Sequence, residues 1–245
     1  MKNGKLLFRR EVKKMKKDIV PKMFVLFFVL MVCNGGISHA QEKGLIAWWK
    51  FDENKSDIAN DAVGNLPGMI IGAGWASGKF GSGLKFTGKE SVIFMNNAVI
   101  SPVDEITVEA WVFPMKYEDS STQMIILKPE SYSLDLSGGK FRFSVYIHGE
   151  YRQVVCKDIL KLNAWHYLAG TYSSMTQAIK LYADSRLPGK TVITGLESYQ
   201  INVSGYDLII GSDDAGSSML GMIDEVRIYN IALDEEKVKA HVSWQ

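Results

Sequence analysis

An aspartate near the end of the chain occupies a strand position at which the residue pattern predicts a buried side chain. The segment LGMIDEVRIYN alternates apolar and polar residues, and strict alternation places Asp224 on the same face as Val226 and Ile228. An ionised carboxylate on a buried face is costly unless it is paired, hydrogen-bonded or bound to a metal. Asp224 is therefore expected to meet a basic side chain such as Arg227 or Lys50, a metal ion, or backbone N–H groups.

Oxygen-rich segments near the other end of the chain favour a calcium ion among these partners. FDEN, at residues 51–54, ends the first predicted strand, and DAVGN, at residues 61–65, follows it as a tight acidic turn. Ca²⁺ is a hard cation that takes about six to eight oxygen ligands from carboxylates, backbone carbonyls and water. Both segments offer ligands of this kind.

A second set of residues is typical of a ligand-binding surface. In KFRFSVYIH, at residues 140–148, polar and aromatic side chains alternate with apolar ones, and YRQVVC follows beyond a glycine turn. Sugar-binding sites stack a ring on an exposed aromatic side chain and surround it with hydrogen-bonding groups. The predicted ligand-binding residues are Arg142, Tyr146, His148, Tyr151 and Arg152. The alternative is an ordinary solvated sheet face.

Two polar, serine-rich loops lie between predicted strands, at residues 116–123 and 212–219. Loops of this kind commonly carry recognition residues, because a rigid sheet scaffold positions them at the surface. Asp213 and Asp214 in the second loop are candidate ligands of a second cation.

The first 40 residues have the composition of an export signal. They hold nine Lys and Arg residues against two acidic ones, followed by an apolar run from Met23 to Val32. This run is shorter than the about 20 apolar residues that a membrane-spanning helix needs. We predict a signal peptide over residues 1–40, cleaved after Ala40. Met15 is an alternative start, and a lipid anchor on Cys33 is the disfavoured alternative.

Removal of this segment changes both the charge and the cysteine count. The full chain has a formal charge of +1, whereas the remaining residues hold 19 basic and 25 acidic side chains, a balance of −6. Such a domain, without a basic patch, is not expected to bind nucleic acid. Cys156 is the cysteine that remains, so we expect no intramolecular disulfide bond and a buried, unreactive thiol.

Short alternating segments separated by Gly, Asn, Asp and Ser dominate the chain from Gly44 onward. They include GLIAWWKF, ITVEAWVF, KFRFSVYIH and YDLIIG, and the pattern is typical of an all-β sandwich. LDEEKVKAHV, at residues 233–242, predicts a C-terminal helix with Asp234 as its N-cap. No internal repeat or linker interrupts the pattern, so residues 41–245 are predicted to form one domain.

These strings resemble, in order, the laminin-G-like jelly rolls of the concanavalin A-like lectin and glucanase superfamily. The resemblance covers nearly all of residues 44–240 and rests on LIAWWKFDE, DAVGNLPG, GWASGKFGSGLKFTG, ITVEAWVFP, WHYLAGTY, IKLYAD, LIIG and GMIDEVRIYNIALDEEKV. It implies an antiparallel two-sheet jelly-roll sandwich with a short C-terminal helix. This fold hosts lectins, adhesion modules and enzymes, so it does not by itself assign a function.

The resemblance also implies a structural Ca²⁺, because members of this family often hold one between the first strand region and the last strand. The candidate ligands implied here are Asp52, Glu53, Asp61, Asn65 and Asp224. Such an ion would join the two chain ends in a domain without a disulfide bond. The alternative, a carboxylate held by backbone N–H groups without a metal, stays open.

An enzymatic alternative follows from the same resemblance. The β-glucanases of this superfamily place Glu, Asp and Glu along one strand face, where nucleophile and general acid flank the scissile bond. Here Glu105, Thr107 and Glu109 share a face by alternation, but a threonine occupies the middle position and the spacing falls short. We therefore predict no catalytic residues and expect Glu109 to face solvent or a neighbouring strand.

The sequence thus predicts an exported, non-catalytic module that recognises a glycan or an extracellular protein, in the periplasm, at the cell surface or in the medium. No membrane partner is expected after signal cleavage. The alternatives are a glycoside hydrolase or lyase of the same superfamily and a structural or adhesion component of a cell-surface assembly.

Overall fold

The computed structural model describes residues 42–117, 121–213 and 215–243 of the chain. The predicted signal peptide over residues 1–40 lies outside the described residues, and so do Asp214 and the middle of the predicted loop at residues 116–123. The domain boundary at residue 41 therefore stays a prediction.

Sixteen strands and one α-helix follow one another along the described residues. The first eight strands are β1 (Leu45–Trp49), β2 (Ile58–Ala59), β3 (Gly68–Ile71), β4 (Gly74–Ser77), β5 (Ser82–Thr87), β6 (Ser91–Phe94), β7 (Glu105–Pro114) and β8 (Thr122–Lys128). The other strands are β9 (Tyr132–Ser137), β10 (Lys140–Ile147), β11 (Glu150–Ile159), β12 (His166–Ser173), β13 (Ala178–Ala183), β14 (Arg186–Val192), β15 (Leu208–Ile210) and β16 (Leu220–Tyr229). Helix α1 (Glu235–Val242) follows, and a short 3-10 turn, Ala98–Ile100, precedes β7.

The described strands form two antiparallel sheets of eight strands each. Sheet A has the order β14-β13-β12-β7-β16-β5-β4, with β1 also paired to β16. Sheet B has the order β11-β10-β9-β8-β15-β6-β3-β2. This arrangement confirms the predicted all-β, two-sheet antiparallel sandwich with a short C-terminal helix.

Apolar side chains from the two sheets interleave to form the main core. The buried side of β10 contributes Phe141, Phe143, Val145 and Ile147, as alternation predicts. On the facing strand β12, a Cβ added at Gly170 would overlap the Phe143 ring, so the sheets approach closely there. Cys156 is buried in this core with a free thiol, as predicted.

Strand β16 pairs with two different strands along one of its edges. Residues 220–223 pair with β5, residues 226–229 pair with β1, and β7 runs along the opposite edge. The first and last strands of the domain therefore lie side by side, as the sequence analysis expects.

A β-bulge between these two paired stretches places Asp224 and Val226 on opposite faces of the sheet. Glu225 has a φ of 53°, and the register of β16 against β7 shifts between Asp224 and Arg227. Asp224 consequently lies opposite Trp111 on the outer face of sheet A, whereas Val226 faces the main core. The prediction that Asp224 shares a face with Val226 is wrong, because alternation does not continue across a bulge. Its burial is confirmed.

The first and last described segments cover the outer face of sheet A. A second apolar cluster lies there, formed by Leu45, Trp111, Tyr167, Ala169, Tyr182, Tyr229, Leu233 and Val238. Helix α1 contributes Val238, and the Asp234 side chain accepts a 2.8 Å hydrogen bond from the backbone N–H of Lys237. The predicted helix and its N-cap are confirmed. Among the described residues, no helix has the length and apolar character needed to cross a membrane.

Four strands are absent from the sequence-based prediction, namely β2, β3, β4 and β14. Three of them, β2, β4 and β14, lie at the ends of the two sheet orders. β14 is mostly exposed on both faces, and β2 has two residues. An edge strand with both faces in water lacks the apolar alternation by which strands are recognised in a sequence.

A Gly170→Ala substitution tests the close approach of the two sheets. The added Cβ must displace the Phe143 ring, so we expect the free energy of unfolding, measured in urea, to fall by about 1–3 kcal/mol. Gly74→Ala in β4 is the control, because a Cβ there has no neighbour within 4 Å. Equal stability of the two variants would contradict the observed sheet packing.

Candidate functional site

The outer face of the β10–β11 hairpin carries an aromatic pair. Tyr146 lies directly opposite Tyr151, and the two rings meet edge to face, with centroids 4.9 Å apart and an interplanar angle of 73°. Tyr151 is 45% exposed, and its hydroxyl accepts a 2.8 Å hydrogen bond from the backbone N–H of Glu130. The pair thus presents an anchored aromatic surface to solvent.

Arg142 lies on the same face of β10 and is anchored by a buried acid. Its Nε donates to both carboxylate oxygens of Asp135 on β9, at 2.8 and 3.2 Å. Burial raises the pKa of Asp135 to about 6, although the Arg142 charge opposes that rise. Within the described parts of the chain, neither Nη nitrogen of Arg142 has a hydrogen-bond partner.

The other two predicted ligand-binding residues are placed differently. His148 is an exposed turn residue with a left-handed φ of 52°. Arg152 lies opposite Val145, on the core side of the hairpin, and pairs with Glu150 at 2.9 Å. Successive strand residues point to opposite faces, so Arg152 cannot share the face of Tyr151. The structure therefore places Arg142 on the same face as the paired Tyr146 and Tyr151 and separates Arg152 from them.

Backbone N–H groups hold the carboxylate of Asp224. Its Oδ2 accepts a 3.0 Å hydrogen bond from the N–H of Phe80, and its Oδ1 accepts one of 2.8 Å from the N–H of Glu225. Burial raises the pKa of Asp224 to about 7, against the opposing effect of the Phe80 hydrogen bond. The loop at residues 78–81 is close enough that a Cβ at Gly78 would lie 2.6 Å from Oδ2. Of the partners that the sequence leaves open for Asp224, backbone donors are the ones observed.

Arg227, one of the basic partners considered for Asp224, instead binds the adjacent acid. Its Nη2 lies 2.6 Å from Oε2 of Glu225, to which the indole N–H of Trp48 also donates at 2.7 Å. The guanidinium of Arg227 stacks on the Trp48 ring, 4.4 Å from its centroid. Burial raises the pKa of Glu225, and the Arg227 charge opposes this rise. The other basic candidate, Lys50, lies 4.2 Å from the Trp48 ring centroid.

Asp52 reaches the same loop as Asp224. Its Oδ1 accepts a 3.0 Å hydrogen bond from the N–H of Ser82, whose hydroxyl donates to the carbonyl of Phe51 at 2.6 Å. Two of the five predicted calcium ligands therefore contact one five-residue segment, Gly78 to Ser82.

Glu53 and Asp61 lie near residue 60 instead. Oε1 of Glu53 accepts a 2.7 Å hydrogen bond from the N–H of Asn60, and Oδ1 of Asp61 accepts one of 3.0 Å from the N–H of Trp48. The second carboxylate oxygen of each is buried without a hydrogen-bond partner in the described structure. Asn65 is exposed.

The predicted calcium ligands thus do not form one acidic cluster. In residues 42–117, 121–213 and 215–243, no group of three or more His, Cys, Asp or Glu side chains is arranged to hold a metal ion. A site at the Gly78–Ser82 segment would have two carboxylates, from Asp52 and Asp224, and would need backbone carbonyls and water for its other ligands.

Glu105, Thr107 and Glu109 share the outer face of sheet A, as alternation predicts, but they dock the C-terminal segment. Oε1 of Glu105 accepts a 2.8 Å hydrogen bond from Ser173, and its Oε2 accepts one of 3.2 Å from the N–H of Ala232. The Thr107 hydroxyl donates to the carbonyl of Ile231 at 2.7 Å. Glu105 lines a recess of about 150 Å³ with Lys180 and Leu233, among others, but Glu109 does not.

Glu109 is fully buried beneath helix α1, so of its two expected positions the one facing solvent is wrong, while its carboxylate also lies near Tyr167 of the neighbouring strand β12. Nδ1 of His241 lies 2.9 and 3.1 Å from the two carboxylate oxygens of Glu109, and Nε2 of His241 lies 2.9 Å from Oε1 of Glu42. Both ring nitrogens therefore face acceptors, which favours the doubly protonated ring. Burial lowers the pKa of His241, but the hydrogen bonds and charges of Glu109 and Glu42 outweigh burial and raise it.

The second predicted cation site is only partly described. Oδ1 of Asp213 accepts hydrogen bonds of 2.7 and 2.9 Å from the N–H groups of Ala215 and Ser217. Its predicted partner Asp214 lies outside the described residues, so this site stays a prediction.

A family model described as the concanavalin A-like lectin/glucanases superfamily matches residues 86–239 of the chain. Among curated proteins, no sequence matches significantly.

Solved structures share the fold at low sequence identity. Domain 4 of AbnA, a GH43 extracellular arabinanase from Geobacillus stearothermophilus solved in complex with arabinotriose, is 20% identical with a TM-score of 0.67, over 81% of this chain and 98% of that one. The binding domain of Paraclostridial Mosquitocidal Protein 1 is 15% identical with a TM-score of 0.66, over 81% of this chain and 52% of that one.

The binding domain of botulinum neurotoxin DC, in complex with rat synaptotagmin II, is 15% identical with a TM-score of 0.63, over 81% of this chain and 51% of that one. The chain therefore spans about half of the length of these two toxin binding domains.

A His241→Gln substitution tests the buried contact between helix α1 and sheet A. The protonated ring is stabilised in the folded state, so its contribution is full below the unfolded pKa of about 6.5 and is lost as the pH rises through the raised folded pKa. We expect the variant to be less stable than the parent by roughly 3 kcal/mol at pH 6, with a smaller difference at pH 9, by urea unfolding. The control is His148→Asn at the exposed turn, and an equal His241 effect at both pH values would contradict this assignment.

Proposed function

This chain belongs to the concanavalin A-like lectin/glucanases superfamily, and we propose that it is an exported, non-catalytic module that binds a glycan on the outer face of the β10–β11 hairpin. The observation that carries this proposal is the anchored pair of the half-buried Tyr146 and the exposed Tyr151. A sugar ring can stack on such a surface with its apolar face while its hydroxyls remain available for hydrogen bonds.

The pair requires little ordering on binding. Tyr151 is held at its hydroxyl by Glu130 and at its ring by Tyr146, and Arg142 is held by Asp135. Side chains that are already ordered in the free protein do not lose rotamer entropy when a ligand binds. This preorganisation supports a role in recognition.

The acidic residues of sheet A support a non-catalytic role. A glycosidase needs two carboxyl groups that flank a bound sugar, with one of them able to exchange a proton. Glu109 is fully buried against His241, and Glu105 accepts hydrogen bonds from Ser173 and Ala232. Both groups hold the C-terminal segment in place, which disfavours the hydrolase or lyase alternative.

The structural neighbours agree with a binding role without assigning it. One is an arabinanase domain solved with arabinotriose, and another is a neurotoxin binding domain solved with the protein rat synaptotagmin II. The second makes an extracellular protein partner, or a place in a cell-surface assembly, the alternative to a glycan. Export itself rests on residues 1–40 of the sequence.

A structural Ca²⁺ at the Gly78–Ser82 segment is part of the proposal. Asp224 and Asp52 would supply carboxylate oxygens there, because both already contact this segment. A cation would also favour ionisation of the buried Asp224, whose pKa burial raises to about 7. Glu53 and Asp61, two of the other ligands predicted from the sequence, bind the N–H groups of Asn60 and Trp48 instead, and with the exposed Asn65 they are not part of the proposed site.

A glycan array probed with the exported domain tests the binding role, first with Ca²⁺ and then with a chelator. We expect binding to a defined set of oligosaccharides and roughly tenfold weaker binding by Tyr151→Ala, because the variant loses one aromatic contact. Tyr206→Ala is the matched control, since Tyr206 is 51% exposed and lies outside the hairpin. An array without hits, together with a co-purifying protein, would favour the protein-binding alternative.

Thermal unfolding with Ca²⁺ and with a chelator tests the metal site. Bound Ca²⁺ at one hundred times its Kd would stabilise the parent by about 2.7 kcal/mol, so its Tm should fall in chelator. Asp224→Asn and Asp52→Asn should lose this sensitivity, while Asp61→Asn and Glu53→Gln retain it. If Asp224→Asn and the parent respond equally to chelator, Asp224 is not a ligand.

A further inference from the structure

Arg142 presents an unused binding edge to solvent. Asp135 occupies its Nε, and both Nη nitrogens lack partners within the described structure, while the side chain is 23% exposed. A guanidinium is planar and its paired N–H donors match the two oxygens of a carboxylate or the oxygens of a sulfate. The edge that remains open on Arg142 has this geometry.

The burial of Asp135 in an ion pair with Arg142 indicates that the position of Arg142 matters. The Asp135 side chain is 1% exposed, and a buried ion pair is often no more stabilising than apolar residues of similar size. The ion pair does, however, fix the guanidinium in one orientation on a face that is otherwise open to water. A fixed cation of this kind is suited to binding an anion.

The side chains near Arg142 add positive charge and one exposed apolar side chain. Lys140 is exposed two residues from Arg142 on the same face of β10, and Lys157 is exposed on β11. Val155, directly opposite Arg142, is 40% exposed. Lys140 and Arg142 thus place two cationic side chains on one face of β10, in a chain whose predicted mature domain has a formal charge of −6. A local positive surface attracts anions even when the net charge of the whole domain is negative.

We propose that the glycan bound by the β10–β11 hairpin is anionic, and that a carboxylate or sulfate group on it pairs with the open edge of Arg142. The inference rests on the proposed glycan-binding function and specifies its ligand class. Arg142 and Tyr146 are four residues apart along β10, or about 13 Å. The anionic group therefore belongs to a sugar unit other than the one that stacks on the tyrosine pair.

Calorimetric titration with matched oligosaccharides tests this inference. One probe pair is an oligogalacturonate and its methyl ester, and the other is a chondroitin sulfate oligosaccharide and its desulfated form. The first pair tests a carboxylate and the second tests a sulfate. We expect at least one acidic probe to bind and its neutralised partner to bind roughly 10- to 100-fold more weakly.

Variants of Arg142 assign the effect to its guanidinium. Arg142→Lys retains the charge but not the fork, and Asp135→Asn/Arg142→Gln removes both members of the buried pair so that no charge is left unpaired. Both are expected to lose most of the preference for the acidic probe. Lys85→Gln on β5 removes an exposed positive charge from sheet A, away from the hairpin, and should leave the preference unchanged.

Two results would overturn the inference, and they are distinguishable. If the domain binds neutral array glycans but neither acidic probe, or if the Arg142 variants retain the acidic preference, the inference fails while the glycan-binding function stands. If no glycan binds, neutral or acidic, the proposed function fails and the inference fails with it.

Discussion

Strand β16 pairs with β5 and with β1 along a single edge, and the organisation of the domain depends on this shared pairing. The N–H groups of Phe80 and Glu225 lie at the junction between the β16–β5 and the β16–β1 pairing and take part in neither. The Asp224 carboxylate accepts hydrogen bonds from Phe80 and Glu225, and Asp52 accepts one from Ser82. The buried acid is thus a hydrogen-bond acceptor at a strand junction, where an unsatisfied donor would destabilise the fold.

The same pairing brings the first and last described segments to sheet A, where they occupy its outer face. Glu42, at the start of the described residues, and His241, in helix α1, meet at the buried Glu109. The side chains that could have formed a catalytic pair are used to fasten these segments. Among the residues that the structure describes, none covers the β10–β11 hairpin of sheet B in this way, and Tyr151 there is 45% exposed. The outer face of sheet A thus closes the domain, whereas the hairpin of sheet B exposes side chains to solvent.

The regular part of the fold could be predicted because alternation reports directly on which side of a strand is buried. β10 illustrates this, since its apolar residues enter the core and Arg142 and Tyr146 lie outside. The face of Asp224 could not be predicted, because a single residue with positive φ at Glu225 shifts the pattern without a glycine to mark it.

The contact between Glu109 and His241 was equally hidden in the sequence. The two residues are 132 positions apart, and each has an ordinary local role, one in a strand and the other near a helix end. In the same way, the prediction grouped Arg152 with Tyr151 because they are adjacent, although adjacent strand residues face opposite sides. Long-range contacts and side-chain direction require the assembled sheets.

Hydrogen exchange by mass spectrometry, with and without a glycan that the domain binds, tests this difference between the two sheets most directly. The account predicts slower exchange in residues 140–159 on binding and no change in β7 and β16, whose outer face the first and last described segments cover. Protection confined to sheet A, with the β10–β11 hairpin unaffected, would contradict it.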